Sequence, residues 1–393
     1  MIFDTIIIGK GLIGSATAKH LSLTERNLAI IGPDEPSDPE QALVFASHYD
    51  SGRVQRLIGH NDAMTRLNLL SVNHYPWLEA ESGIKFHRGA GCLYVNPDGL
   101  DDYLKEAPAK AKQFGIKASF YNNGKELADG FPEFKFPTTS AGMLESSPSG
   151  YINPLLLIKA QLSVFEKNGG SVFRDTVTAL KFVNGRAEVT TLTNKYQAKK
   201  IILAAGAFSN FLGLLEQRLD LTTKSEVVVL ARVSKEEALR LVALTSLLYE
   251  IDAPDFEGIY SIQPIQYPDG NFYLKMGCNL PEDIFFGSEV KEVQHWFRSG
   301  DSDRHLTKMK EALMTFMPNL KIEGCLSKRC ILPRTKKHEN PYIGQVHERL
   351  YVTAGNGWSA MCSDGAGKLM ASLVINEKIP EGFSFRDFEP VFE

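Results

Sequence analysis

Three glycines, Gly9, Gly11 and Gly14, fall within six positions of the stretch IIIGKGLIGSATAKHL. A G-x-G-x-x-G spacing keeps side chains away from a place where the main chain must come close to something bulky. Gly9 permits a tight turn, Gly11 lets the backbone approach a pyrophosphate, and Gly14 lets the following helix pack closely. The chemistry this serves is the binding of a dinucleotide, whose phosphates meet the unpaired N–H groups and the positive end of the helix. A glycine-rich turn with no ligand is the alternative. The acidic residue that grips a ribose ordinarily ends the second strand of such a unit. Gly32 stands there, so Asp34, in GPDEP, becomes the candidate.

Three further groups have side chains suited to chemistry. Arg53 and Arg56 lie three apart in ASHYDSGRVQR, and each offers a forked pair of donors that matches a carboxylate. Solvated surface arginines are the alternative. Lys275 sits in the alternating segment FYLKMG, with Leu274 and Met276 on the opposite face. A lysine aimed inward from a strand needs a partner or a task, whereas one at a strand end points to water. Cys330 is flanked by Lys328 and Arg329, whose charges would lower a thiol pKa. No cysteine pair or histidine spacing suggests a metal, and no nucleophile triad or acid–base carboxylate pair is found.

These groups need elements to hold them. Ile2 to Ile8 reads as a buried parallel strand, SATAKHL as a helix, and residues 28–31 as a second strand. Residues 62–80 and 101–115 read as helices, and another starts near Pro154 and stops at Gly169 or Gly170. Asn184-Gly185 marks a hairpin between antiparallel strands, followed by a buried strand at 201–206. Residues 226–279 read as strands around one helix, 235–248. A helix at 302–316, a strand at 350–355 and a helix at 365–378 complete the chain. Core strands at both ends imply an α/β fold with an α+β second lobe. A Rossmann-like dinucleotide domain is assembled from discontinuous segments 1–80, 150–220 and 326–393. An antiparallel-sheet substrate domain comprises 81–149 and 221–325.

The chain has 393 residues, enough for more than one core. A formal net charge of −4 gives no global field for nucleic acid. No run of about 18 apolar residues suggests a membrane span, and no leader pattern precedes the first strand. Five scattered cysteines fit a reducing, cytoplasmic setting.

Several stretches together resemble one family, the D-amino-acid-oxidase-like flavoproteins, most closely the branch of monomeric sarcosine oxidase and N-methyltryptophan oxidase. GKGLIG, ASHYDSGRVQR, GYINPLLL, IILAAGAFSN, LKMG, RCILPRT and LYVTAGNGWSAMCSDGAGKLMASLV stand in the family's order across nearly the whole chain. The resemblance implies FAD as the cofactor and NAD as the wrong one. It implies cofactor contacts from Gly9, Gly11, Gly14, Ile13, Asp34, Ser47, Arg53, Val177, Ala205, Gly206, Gly355, Gly357, Trp358, Ser359 and Met361. His48 would line the flavin ring, and Arg56 would hold a substrate carboxylate. Lys275 would stand near flavin N5, its charge stabilising superoxide as it forms. Cys330 would be either the covalent flavin link of that branch or an ordinary buried cysteine. The start of the last helix, near Gly365 to Gly367, would aim its positive end at the flavin.

Two departures bear on the substrate. The branch lysine after Gly355 is absent, with Met361 or Cys362 in its place, and the branch histidine beyond the strand lysine is Asn279. Arg56, Tyr260, Asn279 and Trp358, beside Met361, would form a pocket with fewer charges and more apolar area. The implied activity is oxidation of the C–N bond of a primary or secondary amine, or of an amino-acid-like substrate, to an imine. Reduced flavin would pass its electrons to O2, giving hydrogen peroxide. The partners implied are a small-molecule amine and O2, with no nucleic acid, no membrane and a monomeric chain. An amine dehydrogenase with another acceptor and a non-catalytic FAD-binding protein are the alternatives.

Overall fold

Ile6 and Ile7, neighbours in the Ile2–Ile8 strand, are both fully buried. Successive side chains leave a strand on opposite faces, so this strand must be covered on both. It is the centre of a parallel sheet. Leu28–Ile31 pairs on one side and Lys195–Leu203 on the other, and Ser171–Phe173 and Leu350–Ala354 extend it in parallel. Ile7 packs among Ala18, Leu21 and Leu369, from the helices Leu12–Ser22 and Ser363–Val374. Ile6 and Ile8 pack on the other face with Val177 and Val189. Those two residues belong to a hairpin turning through Asn184-Gly185, both of positive φ, as the Asn-Gly pair predicts. The computed structural model describes residues 2–376 and 379–393. The expected last helix is shorter than 365–378 and shifted, and positions 377–378 lie outside the described residues.

A second, largely antiparallel sheet runs Leu221–Val233, Phe272–Asn279, Phe256–Gln266, Ser246–Ala253, Cys92–Asn96, Ala141–Glu145 and Ala118–Tyr121. Gly324–Thr335 pairs along the outer edge of the first of these, so residue 326, expected as a domain boundary, falls inside a strand of this sheet. One face of the sheet is core: Val227, Val229, Leu247, Tyr249, Ile259, Leu274, Met276 and Ile331 pack with Trp296 and Leu313. The alternate positions form the other face: Lys224 and Glu226, Leu248 and Glu250, Tyr260, Lys275 and Asn279, Cys330. Gly277 lies among them because a Cβ there would stand 2.2 Å from the Tyr260 ring.

The helix expected over 235–248 is cut short at Lys235–Arg240. The segment that follows carries two periodicities. Leu247 and Tyr249 enter the sheet core as strand residues, and that burial outweighs helical preference. Among the described residues no helix is long and apolar enough to cross a membrane.

Candidate active site

The glycine turn divides its labour. A Cβ on Gly9, at φ +109°, would stand 2.2 Å from the Ala204 carbonyl oxygen, and one on Gly14 would stand 2.0 Å from that of Gly9. Gly14 therefore seats the helix on the turn itself. A Cβ on Gly11 would meet nothing closer than His48 Nδ1 at 3.7 Å. Bare backbone is thus left open at Gly11, where the Leu12–Ser22 helix starts with no side-chain cap and no acidic residue in its first turn. Its unpaired N–H groups suit an anion. Gly32 has a separate reason: a Cβ there would stand 2.6 Å from the Lys10 backbone nitrogen. Asp34 is exposed, pairs with Lys10 and Arg174, and stays outside the cavity wall.

A cavity of about 420 Å³ runs from this turn to the free face of the second sheet. Gly9, Gly11, Ile13 and Val177 line one end. Ser47, His48, Arg53, Ala205, Gly206, Cys330, Gly355, Gly357, Ser359 and Met361 line it further along, and Tyr260, Asn279 and Trp358 join them. Gly14, Asp34, Arg56 and Lys275 are outside its wall. The pocket is not poor in charge, as the sequence had suggested: Lys224, Glu226 and Glu250 also line it. These three lay unremarked in ordinary strand sequence. Their alternation with the core residues of the same strands was the only signal.

Lys275 has the partner that its inward aim required. Its Nζ lies 2.5 Å from Asp50 Oδ2, donates to the Gly52 carbonyl at 2.9 Å, and sits 5.5 Å from the centre of the Tyr260 ring. Asp50 also takes a hydrogen bond from Arg53, from the Tyr267 hydroxyl (2.7 Å) and from the Ser51 N–H (2.8 Å). Burial lowers the Lys275 pKa to about 8, with Arg53 adding to the effect and Asp50 opposing it. Lys275 and Arg53 hold the Asp50 carboxyl below its usual range despite burial. Sequence reading missed Asp50, although its place three residues before Arg53 was visible. His48 is kept neutral: burial, then Arg53 and Lys10, lower its pKa to about 3.

Arg56 is buried, and its guanidinium lies over the rings of Tyr103 (5.3 Å) and Trp358 (5.2 Å). Its Nε has no hydrogen-bond partner, and among the described residues no carboxylate pairs with it. Trp358, in the cavity wall, covers it. The buried Glu145 carboxylate accepts the Leu57 and Ile58 N–H groups at 2.6 and 2.9 Å, pinning the chain just after Arg56.

Among the described residues, Cys330 is the one cysteine in the cavity wall. The expected help from its sequence neighbours is corrected. Lys328 donates to the Tyr49 carbonyl and Arg329 to that of Gly300. Burial raises the thiol, and Arg53 is the strongest opposing influence. The last helix starts at Ser363, two residues before Gly365. Ser363 to Gly367 are absent from the cavity wall; the Gly365 N–H donates to Ser71 Oγ, and Asp364 is bound by Lys19, His20 and His74. Gly367 serves packing, since a Cβ there would stand 2.4 Å from Ala16 Cβ.

A parallel sheet with an open glycine turn, joined by one cavity to a sheet face bearing a buried lysine, defines a dinucleotide-binding α/β protein. The chain belongs to the FAD dependent oxidoreductase family, DAO, whose pattern matches residues 4–373, and its cofactor is FAD. The N-methyl-L-tryptophan oxidase of Yersinia pestis (strain Pestoides F) is 27% identical over 210 residues, 53% of this chain and 54% of that protein. The match thus spans about half the length of this curated relative. Among solved structures, NikD, described as an unusual amino acid oxidase essential for nikkomycin biosynthesis, aligns with a TM-score of 0.80 at 17% identity. That alignment covers 99% of this chain and 98% of NikD. The glycine oxidase of Geobacillus kaustophilus aligns with a TM-score of 0.70 at 16% identity over 98% of each chain.

Proposed function

We propose that this protein is an amine oxidase acting on a primary or secondary amine that carries a carboxylate. The single observation that carries the reading is the buried ion pair of Lys275 with Asp50, on the sheet face that meets the cavity. The open backbone at Gly11, the uncapped helix and the wall from Val177 to Gly357 fit a flavin dinucleotide and would hold it. When bound, FAD takes two electrons from the C–N bond and passes them to O2, so that amine and O2 become imine and hydrogen peroxide.

The chain's residues then have separate tasks. Arg56, a buried cation near Glu145 and Glu250 but in direct contact with neither carboxylate, receives the substrate carboxylate once the Trp358 ring admits it. Tyr260, Asn279 and Trp358 wall the place where the carbon is held. Lys275 keeps a positive charge beside the reacting region, and Asp50 fixes that ammonium. Cys330, alone among the cysteines in the wall, is the candidate covalent anchor. The named activity of the N-methyl-L-tryptophan oxidase relative supports the substrate class.

The test is an anaerobic panel of amines and N-methyl amino acids mixed with the yellow protein, followed by O2. Bleaching by at least one amine, then rapid recovery of colour with peroxide release, is expected. Bleaching with recovery no faster than free flavin, unchanged in Lys275→Met, would assign a dehydrogenase instead. A protein that takes up no FAD would end the redox reading.

A further inference from the structure

We propose that Asn279 is a hydrogen-bond donor to an oxygen acceptor of the substrate, and that Lys224 is the positioning residue that fixes it so. The inference rests on the amine-oxidase reading and names what the substrate must present to this part of the wall.

A lysine ammonium has three N–H donors and accepts nothing. Lys224 Nζ faces three oxygens: Asn279 Oδ1 at 2.9 Å, Asp283 Oδ2 at 2.5 Å and Glu226 Oε2 at 3.2 Å. It donates to Asn279 and Asp283, while Glu226 Oε2 takes no hydrogen bond and is held by charge alone, so buried Lys224 acts through these partners. Its carboxylate partners are fixed in turn. Glu226 Oε1 accepts the Tyr260 hydroxyl at 3.0 Å, and Asp283 Oδ2 accepts the Leu280 N–H at 3.0 Å.

The consequence falls on Asn279. The atom that meets an ammonium must be the carboxamide oxygen, because a second donor there would be repelled. The amide cannot flip without losing that bond, so its NH2 group is directed away from Lys224. The nitrogen lies 3.3 Å from the position of a Cβ on Gly258, and both Asn279 and Gly258 line the cavity. A side chain at 258 would cover this nitrogen. An NH2 group held in one orientation in a cavity wall recognises an acceptor, such as a carboxylate or amide carbonyl oxygen. It discriminates against a ligand with nothing to accept.

The experiment uses the FAD-loaded full chain and isothermal titration calorimetry under anaerobic conditions. The probes are N-methyl-L-tryptophan, its carboxamide and N-methyltryptamine, which share the ring and amine but differ in the acceptor. The wild-type chain is expected to prefer the two acceptor-bearing probes over N-methyltryptamine by about ten- to a hundredfold. Asn279→Leu is expected to abolish the share of that preference seen with the neutral carboxamide. Lys224→Met, with Asn279 intact, is expected to reduce it as well, and Lys224→Arg to restore part of it. In the Asn279→Leu background Lys224→Met should cause no further loss. Asn279→Asp keeps the Lys224 contact but offers no donor, so it should disfavour the carboxylate probe; this variant carries the test if Lys224→Met does not fold. Carboxamide preference unchanged in Asn279→Leu and Asn279→Asp overturns the proposal, as does a wild-type chain that shows none. Flavin bleaching by amines, read separately, reports on the redox reading alone.

Discussion

Replacing Asp50 by Asn tests the site most directly. The substitution keeps the shape, and an amide oxygen can still accept from Tyr267 and Ser51, but the charge facing Lys275 and Arg53 is gone. Lys275 and Asp50 are both almost wholly buried, so solvent does little to screen the loss. An opposite charge at this range shifts a pKa by about one to three units, worth about 1.4–4 kcal/mol. The sign is fixed: Asp50 stabilises the ammonium, so its removal lowers the Lys275 pKa below the value of about 8. Near neutral pH the wild-type lysine is roughly nine-tenths protonated, and in the variant roughly half or less. The assay is stopped-flow recovery of reduced flavin with O2 as a function of pH. In the wild type the rate should fall as pH rises through about 8, and in Asp50→Asn the same fall should come at lower pH. Lys275→Met should be slow and flat across this range, and Asp50→Asn should slow it little further. Unchanged rate and midpoint in a folded, FAD-loaded Asp50→Asn chain would refute the assignment of Lys275 as the charge that matters.

Other outcomes follow from the same geometry. Gly11→Val should fold with a melting temperature near wild type yet lose FAD affinity by about tenfold or more, because its position is open. Gly9→Ala should instead lose about 1–3 kcal/mol of stability from backbone strain, seen as a lower melting temperature without ligand. Arg56→Met should reduce kcat/KM for carboxylate-bearing amines by about a hundredfold and barely affect their decarboxylated counterparts. Acid precipitation should leave yellow colour in the pellet, and Cys330→Ala should move it to the supernatant; colour in the wild-type supernatant removes the covalent role. Asp364→Asn strands the buried ammonium of Lys19 and should cost about 3–5 kcal/mol, read by denaturant unfolding.

What was legible in the sequence was what depends on neighbours in the chain. The glycine turn could be read because its spacing is local, with Gly14 seated on Gly9, although the contact that demands Gly9 itself comes from Ala204 across the sheet. Lys275 could be read because FYLKMG alternates, and Leu274 and Met276 do enter the core. The Asn184-Gly185 hairpin belongs to the same class. What depends on pairing across the fold was not legible. Asp50 matters because a strand more than two hundred residues later brings Lys275 to it. Nothing in KSEVVVL marks Lys224 and Glu226 as site residues; only the pairing of this strand with Phe272–Asn279 brings Lys224 within 2.9 Å of Asn279. The pocket's charge was therefore underestimated, and the helix at 235–248 overdrawn, for one reason. Tertiary burial decides between two local patterns, and it is not written locally.

The second sheet also explains why the site can be so polar without loss of the fold. Every site residue it contributes alternates with a core residue of the same strand: Glu226 with Val227, Lys275 with Leu274 and Met276, Cys330 with Ile331. A one-residue slip of Phe272–Asn279 would drive Lys275 into the apolar layer and turn Leu274 and Met276 toward the cavity. Burying an unpaired ammonium there would cost several kcal/mol, added to the lost apolar burial. Packing thus rejects the one-residue slips, in either direction, that would take Lys275 and Asn279 off the cavity face and away from Asp50 and Lys224. Core substitutions that loosen this register, such as Met276→Ala, should therefore impair oxygen reactivity and stability together. A substitution on the cavity face, such as Asn279→Leu, should change ligand preference and cost about 1–3 kcal/mol for the acceptor it takes from buried Lys224.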